Sequence, residues 1–310
     1  MPRKIIIDVD PGIDGAVALA LALFDPRLEV VAVTATGGRV SSAQATKNVQ
    51  TIIETLDPPR WPRIGAAYVD QLTSGDAARL HGADGLGNAD LPSVGLAKLL
   101  SAEKLLVETV RENPEDITLV ALGPLTNVAR AMHLDHHWQS QVGRVLISGG
   151  AFFGPGDVTP AAELSFYNDP FAARQTVKSP MTKTLLPADV ARQLSFSFAI
   201  IDQLPAETTR VGKFLRKIIP YAMRAQRQEL GREDLELNSV AAIVALTNPE
   251  LFETQEHAID VETEGTLALG ALIADRRNVR EWRNNAEVIV SLDAAAVRDC
   301  VLRGLALATA

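Results

Sequence analysis

Three carboxylates stand close together in the stretch IIIDVDPGIDGAVAL, residues 5 to 19: Asp8, Asp10 and Asp14, directly after a run of β-branched residues and with Gly15 following the last. Acids packed this closely cannot all ionise without a compensating cation, because each negative charge raises the pKa of its neighbours. Oxygen-rich sets of this kind suit hard divalent ions such as calcium or magnesium. A carboxylate beside a bound cation can also take a proton from water. The spacing is not that of an EF-hand, since the twelfth position counted from Asp8 is Leu19, where that loop needs a bidentate Glu. Accepting hydrogen bonds from loop amides and capping a helix would account for one Asp at a strand end, but not so readily for three.

The elements that must hold these acids follow from the pattern around them. KIIIDV reads as a buried strand and GAVALALALF as the packed helix behind it. LEVVAVTAT is a second strand, and SSAQATKNVQTIIETL a helix whose first serines can cap its free N–H groups. ITLVALGP and RVLISGGA are strands ending in glycine, with PLTNVARAM as the helix between them. The β-loop-helix repetition predicts an α/β fold, a mostly parallel open sheet with helices on both faces. Its active site belongs at the carboxyl ends of the strands, where Gly12, Gly37, Gly38, Gly123, Gly149 and Gly150 fall. Later, SVAAIVALTN supplies a buried helix, AIDVETEGTLALGALIAD a hairpin with Gly265 near its turn, and AEVIVSLD a strand before a terminal helix. The segment at about 195 to 235 is amphipathic and strongly charged. It reads as a helical cap over the site or as an outer helix pair, and composition favours the outer pair. With no repeat and no linker, residues 1–310 are expected to form a single domain.

Composition narrows the ligands. A net charge of −8 with no basic block disfavours a nucleic-acid partner and leaves small molecules. The single Cys300 cannot make an internal disulfide, and neither a signal-peptide pattern nor a membrane-length apolar run is present, so a cytoplasmic protein with no membrane partner is expected.

DVDPGIDGAVAL resembles the opening signature of the inosine-uridine-preferring nucleoside hydrolases, Asp-x-Asp-Pro-Gly-x-Asp-Asp-x-x-Ala. HGADGLGN, ALGPLTNVARA, GGAFFGPGDVTPAAELSFYNDPFAA and LNSVAAIVALTNPELF agree with that family in the same order. The resemblance covers nearly the whole chain. It implies hydrolysis of the N-glycosidic bond of a ribonucleoside or related riboside, through carboxylate-activated water and an oxocarbenium-like transition state. It also implies Ca2+ as cofactor and a homodimer or homotetramer. By the same resemblance Asp10 is the base, Asp14 and Glu163 hold sugar hydroxyls, and the metal is bound by Asp10, the carbonyl of Leu122 and Asn238, with Asp8 as an alternative ligand.

Departures from the signature matter as much. Gly15 and Asn238 stand where the family has metal-binding aspartates, which reduces the expected shell from three carboxylates to one and weakens calcium binding. Gly38, Asp157 and Ser165 stand where family asparagines touch the sugar, and Leu237 where a histidine protonates a departing purine. Such an acid typically contributes ~10²–10⁴-fold. Arg227 and Tyr221 are the candidate substitutes, and a substrate that is a cationic riboside would need none. His81, in HGADGLGN, is a candidate ligand contact; His133, His136, His137 and His257 read as surface residues. Two other readings compete. Asp8-Val9-Asp10 resembles a haloacid-dehalogenase phosphatase site, but Gly12 stands where that site needs a hydroxyl. The second is a non-catalytic relative that binds a nucleoside through an impaired calcium site; the survival of Asp8, Asp10, Asp14 and Glu163 favours an enzyme instead.

Overall fold

A computed structural model describes residues 1–68, 77–92 and 99–308. Its strands are β1 (Arg3–Val9), β2 (Leu28–Ala35), β3 (Arg63–Ala66), β4 (Leu100–Ser101), β5 (Thr118–Leu122), β6 (Arg144–Ser148) and β7 (Lys183–Leu186), followed by β8 (Ser195–Phe196), β9 (Leu235–Glu236), β10 (Phe252–His257), β11 (Ile259–Val261), β12 (Leu272–Ala274) and β13 (Ala286–Leu292). Nine of them form one sheet in the order β10-β13-β7-β6-β5-β1-β2-β3-β4. Every pairing in it is parallel except β10 with β13. The expected mostly parallel architecture is therefore present, and β1 lies near its middle.

The central strands are continuous apolar runs because both faces are covered. On one face, the helices Ile13–Phe24, Ser42–Leu56, Arg210–Leu230, Ser239–Thr247 and Ala294–Leu307 pack around Ile5, Ile7, Val33 and Val120. On the other, Ala102–Glu112, Thr126–Leu134 and Pro170–Lys178 pack around Ile6, Leu119, Val145 and Trp138. The helix Ser42–Leu56 is capped as its sequence predicts, with the Ser41 hydroxyl accepting from the N–H of Gln44. β11 and β12 form the expected hairpin, with Gly265 between them at φ +86°.

The segment from 195 to 235 has features of both expected readings. It begins and ends in a two-stranded ribbon, β8 against β9, and its long helix Arg210–Leu230 brings Gln226 and Leu230 to the wall of the cavity described below. The rest of that helix packs its apolar side against the core.

Candidate active site

The site grows from the ends of four adjacent parallel strands. β1 stops at Val9, and Asp10, Pro11 and Gly12 turn the chain into the helix Ile13–Phe24, with the Gly12 N–H bonded to the Asp10 carbonyl. β2 runs into Thr36, Gly37, Gly38 and Arg39; β5 runs into Gly123. Asp10 is wedged between two of these glycines. A Cβ on Gly38 would lie 2.5 Å from Asp10 Oδ2, and one on Gly123 would lie 2.7 Å from Asp10 Cβ. β6 ends in Gly149 and Gly150, and the N–H of Gly150, at φ +72°, donates to Glu163 Oε2 at 2.8 Å.

A residue that sequence reasoning passed over dominates the result. Arg39 places its guanidinium over Asp10: the Nη1 of Arg39 is 3.1 Å from Asp10 Oδ2, and the backbone N–H of Arg39 donates to the same oxygen at 2.8 Å. Its Nε lies 3.1 Å from Nε2 of His81. Gly38, expected to stand at the sugar, contributes only the space that lets Asp10 approach; the next residue reaches the site. The signal was visible as a single basic residue directly after a Gly-Gly strand end.

The carboxylates occupy different environments. Asp8 is fully buried and turned toward Thr34 and Asn127, whose side chains donate to its Oδ1 at 2.6 and 2.8 Å. Burial, partly offset by those two bonds, pushes its carboxyl up to about 7. It is held as part of the scaffold, away from the cavity wall. Burial also raises Asp10, against the opposing pull of Arg39, and raises Asp14, against Arg39 and Ser239. Glu163 is raised by burial and by Asp157. Asp14 is anchored at the start of the helix Ser239–Thr247: the Ser239 hydroxyl donates to it at 2.8 Å and the Ser239 N–H at 3.0 Å. A carboxylate there also suits the helix dipole. For His81, burial and then Arg39 lower the pKa to about 3. The ring is therefore neutral, so only one of its nitrogens accepts, either Nε2 from Arg39 Nε or Nδ1 from the N–H of Ile13 at 3.2 Å.

Above these groups lies a cavity of about 480 Å³ whose wall includes Asp14, Arg39, His81, Asp157, Gln226 and Asn238. Of the expected site residues, this wall contains Asp14, His81, Asp157 and Asn238, with Asp10 directly behind Arg39. Asp157 accepts from the N–H of Leu164 and pairs with Arg192 at 3.0 Å. A more open depression beside it shares Pro155, Arg192 and Arg232 but holds neither Asp10 nor Asp14.

Several expectations need correction. Leu237, expected among the substrate contacts, is packed in the apolar core and lies off the wall. Arg227 points outward to Glu233 at 3.8 Å, and Gln226 takes the wall position beside it. Tyr221 packs against Gly87. Ser165 is buried behind Glu163. Leu122 ends β5 opposite Val9, next to the glycine that packs on Asp10. His257, expected at the surface, packs its ring edge-on against Phe152, and both ring nitrogens are buried without a partner.

The residues do not fit a divalent cation. Gly15 has no ligand to offer, and its position is closed as well: a Cβ there would meet Val9 Cγ2 at 2.8 Å and the Asp10 carbonyl oxygen at 3.0 Å. One oxygen of Asp10 is taken by Arg39, and both oxygens of Asp14 face Ser239. Oδ2 of Asp8, Oδ1 of Asp10 and Oδ1 of Asn238 are buried acceptors without a protein partner. Three such atoms fall well short of the six to eight oxygens that calcium takes. Among the described residues, no group of three or more His, Cys, Asp and Glu side chains is arranged to hold a metal ion.

Comparison with known proteins places this geometry in context. Residues 5–299 match the model of the family described as inosine-uridine preferring nucleoside hydrolase. The chain is 32% identical over 309 residues to a pyrimidine-specific ribonucleoside hydrolase RihA of Klebsiella pneumoniae, covering 99% of both chains. It is 32% identical over 287 residues to uridine nucleosidase 1 of Arabidopsis thaliana, covering 91% of this chain and 84% of that protein. Among solved structures, a plant nucleoside hydrolase, PpNRh1, superposes with a TM-score of 0.90 at 29% identity, covering 99% of each chain.

Proposed function

The chain belongs to the inosine-uridine preferring nucleoside hydrolase family, and from that premise we propose that it hydrolyses the N-glycosidic bond of a pyrimidine ribonucleoside such as uridine. The observation that carries this is the strand-end cluster itself, Asp10 and Asp14 with Glu163, beside a cavity large enough for a nucleoside. Relatives that match the full length act, by their names, on pyrimidine ribonucleosides.

In this reading the ribose lies against Asp14 and Asn238, with Glu163 buried next to the wall residue Leu164, and Asp10 takes the proton of the attacking water at its unpartnered Oδ1. The negative charge of Asp14 and Glu163 stabilises the oxocarbenium character that develops at the sugar. The wall carries no histidine in place of Leu237; its Glu236 is paired with Arg232 and its Asp157 with Arg192, and neutral His81 lies 3.1 Å from Arg39 Nε. A base that departs as a delocalised anion, as uracil does, or as a neutral group from a cationic riboside, suits a wall of that kind. The same reading takes residues 1–310 as a single domain in a cytoplasmic homodimer or homotetramer. Among the described residues, no helix is long and apolar enough to cross a membrane.

The test is release of ribose from uridine, cytidine, inosine and a cationic riboside by the purified chain, followed chromatographically. Pyrimidine or cationic substrates should be cleaved in preference to inosine, and Asp10→Asn should lower the rate by ~10²–10⁴-fold. Preferred cleavage of inosine, or full activity in Asp10→Asn, would overturn the assignment.

A further inference from the structure

A cluster of buried acids requires positive charge, and the structure supplies it from within the chain. Four carboxylates act on the guanidinium of Arg39: Asp10, Asp14, Glu163 and Asp157, and together they raise it further despite its burial. We propose that Arg39 is the built-in cation of this active site, taking the electrostatic place of the divalent metal implied by the family signature, so that the protein binds no such ion there and acts without one.

Three separate features of the chain support this. The first is double attachment: backbone and side chain of Arg39 both donate to one oxygen of Asp10, while Nε is fixed by His81. The second is the room made for it. A Cβ on Gly12 would lie 2.8 Å from Arg39 Cδ and 2.9 Å from His81 Nδ1, and a Cβ on Gly38 would collide with the oxygen that Arg39 binds. Glycine at both positions is what lets the arginine and its carboxylate meet. The third is the closure of the alternative, since the signature aspartate is replaced by Gly15 in a space already filled by Val9. Loss of metal ligands and gain of an organic cation thus occur around the same carboxylate.

The chemistry follows from the group. A guanidinium stays protonated throughout the working pH range and carries five N–H donors in a plane. Asp10 and His81 engage two of them. Because Arg39 lines the cavity, the remaining donors suit the vicinal hydroxyls of a ribose. Unlike a metal ion, Arg39 binds no water as a ligand, so deprotonation of the nucleophile falls to Asp10 alone.

This inference rests on the nucleoside hydrolase reading, and the experiment separates the two. The full chain is dialysed against EDTA, its divalent metal content is measured, it is titrated calorimetrically with calcium chloride, and uridine hydrolysis is compared in EDTA and in calcium. Expected are far less than one ion per chain, no saturable heat, and hydrolysis unchanged by EDTA. One tightly held ion per chain, or activity lost in EDTA and restored by calcium, overturns the built-in cation. Absence of hydrolysis in both buffers overturns the pyrimidine assignment, while metal content and titration still decide the cation. Arg39→Ala should lose ~10²–10³-fold in rate, with partial recovery by added guanidinium ion or in Arg39→Lys; an unchanged rate in folded Arg39→Ala overturns the proposal.

Discussion

Arg39 reaches the same oxygen of Asp10 twice, through its backbone N–H at 2.8 Å and through its Nη1 at 3.1 Å. Asp10 is fully buried and the Arg39 side chain is 17% exposed. A pair shielded this well is costly to break from one side, because the remaining charge is left without its partner.

A double-mutant cycle measures that coupling. Asp10→Asn and Arg39→Met should each destabilise by about 3–5 kcal/mol, and the double variant by clearly less than the sum of the two. Denaturant unfolding of the four proteins checks it, and additive losses would show that the two side chains are energetically independent.

Gly38→Ala forces a methyl group into the space occupied by the Asp10 carboxylate. The expected cost is about 1–3 kcal/mol, seen as a lower melting temperature. The same substitution placed in an Asp10→Ala background should cost much less, since the colliding atoms are gone. An equal cost in both backgrounds would assign the strain to something other than Asp10.

Ser239→Ala removes one of the donors that hold Asp14 but leaves the backbone N–H in place. Stability should fall by only about 0.5–1.5 kcal/mol. If Asp14 holds a sugar hydroxyl, its looser carboxylate should appear as a raised KM for uridine. A wild-type KM in the variant would argue that Asp14 needs no such support.

Lys183 offers a prediction away from the site. It is buried at the start of β7, and its Nζ donates to the carbonyls of Ser179 and Asn285 at 2.8 and 2.7 Å. Burial lowers its pKa from 10.5 to about 8. Between those two values the unfolded chain binds more protons than the native one, so the contribution of Lys183 to stability rises with pH across that window and is least favourable below it. Compared with Lys183→Met, which cannot titrate, the wild type should gain in relative melting temperature from pH 8 to pH 10. A pH-independent difference would exclude the effect.

The layout of the fold was legible because its signals are local. KIIIDV and LEVVAVTAT are apolar along their whole length, as strands covered on both faces must be, and Ser41 announces the helix it caps. β4 was not legible: it is only the two residues Leu100–Ser101, and a sheet-edge position fixes it more than its composition does. At the site, Asp10 and Asp14 could be placed because a strand end and a helix start fix them, whereas Glu163 rested on the family resemblance alone. Arg39 could not, because the sequence gives no measure of how far a long side chain reaches, and the glycine before it drew attention to the wrong position. Gln226 and Leu230 were hidden for a related reason. The charge of their helix suggests a solvated surface, yet one end of that helix turns over the cavity.

The wall of that cavity draws on Asp14 and Arg39 near the beginning of the chain, His81 and Asp157 in the middle, and Gln226 and Asn238 beyond residue 220. During synthesis, the first strand and its acids leave the ribosome long before the serine that will hold Asp14. A nascent chain halted before Ser239 carries Asp10 and Arg39 but has no complete pocket and no anchor for Asp14. The pocket can therefore be complete only after more than three quarters of the chain has been made.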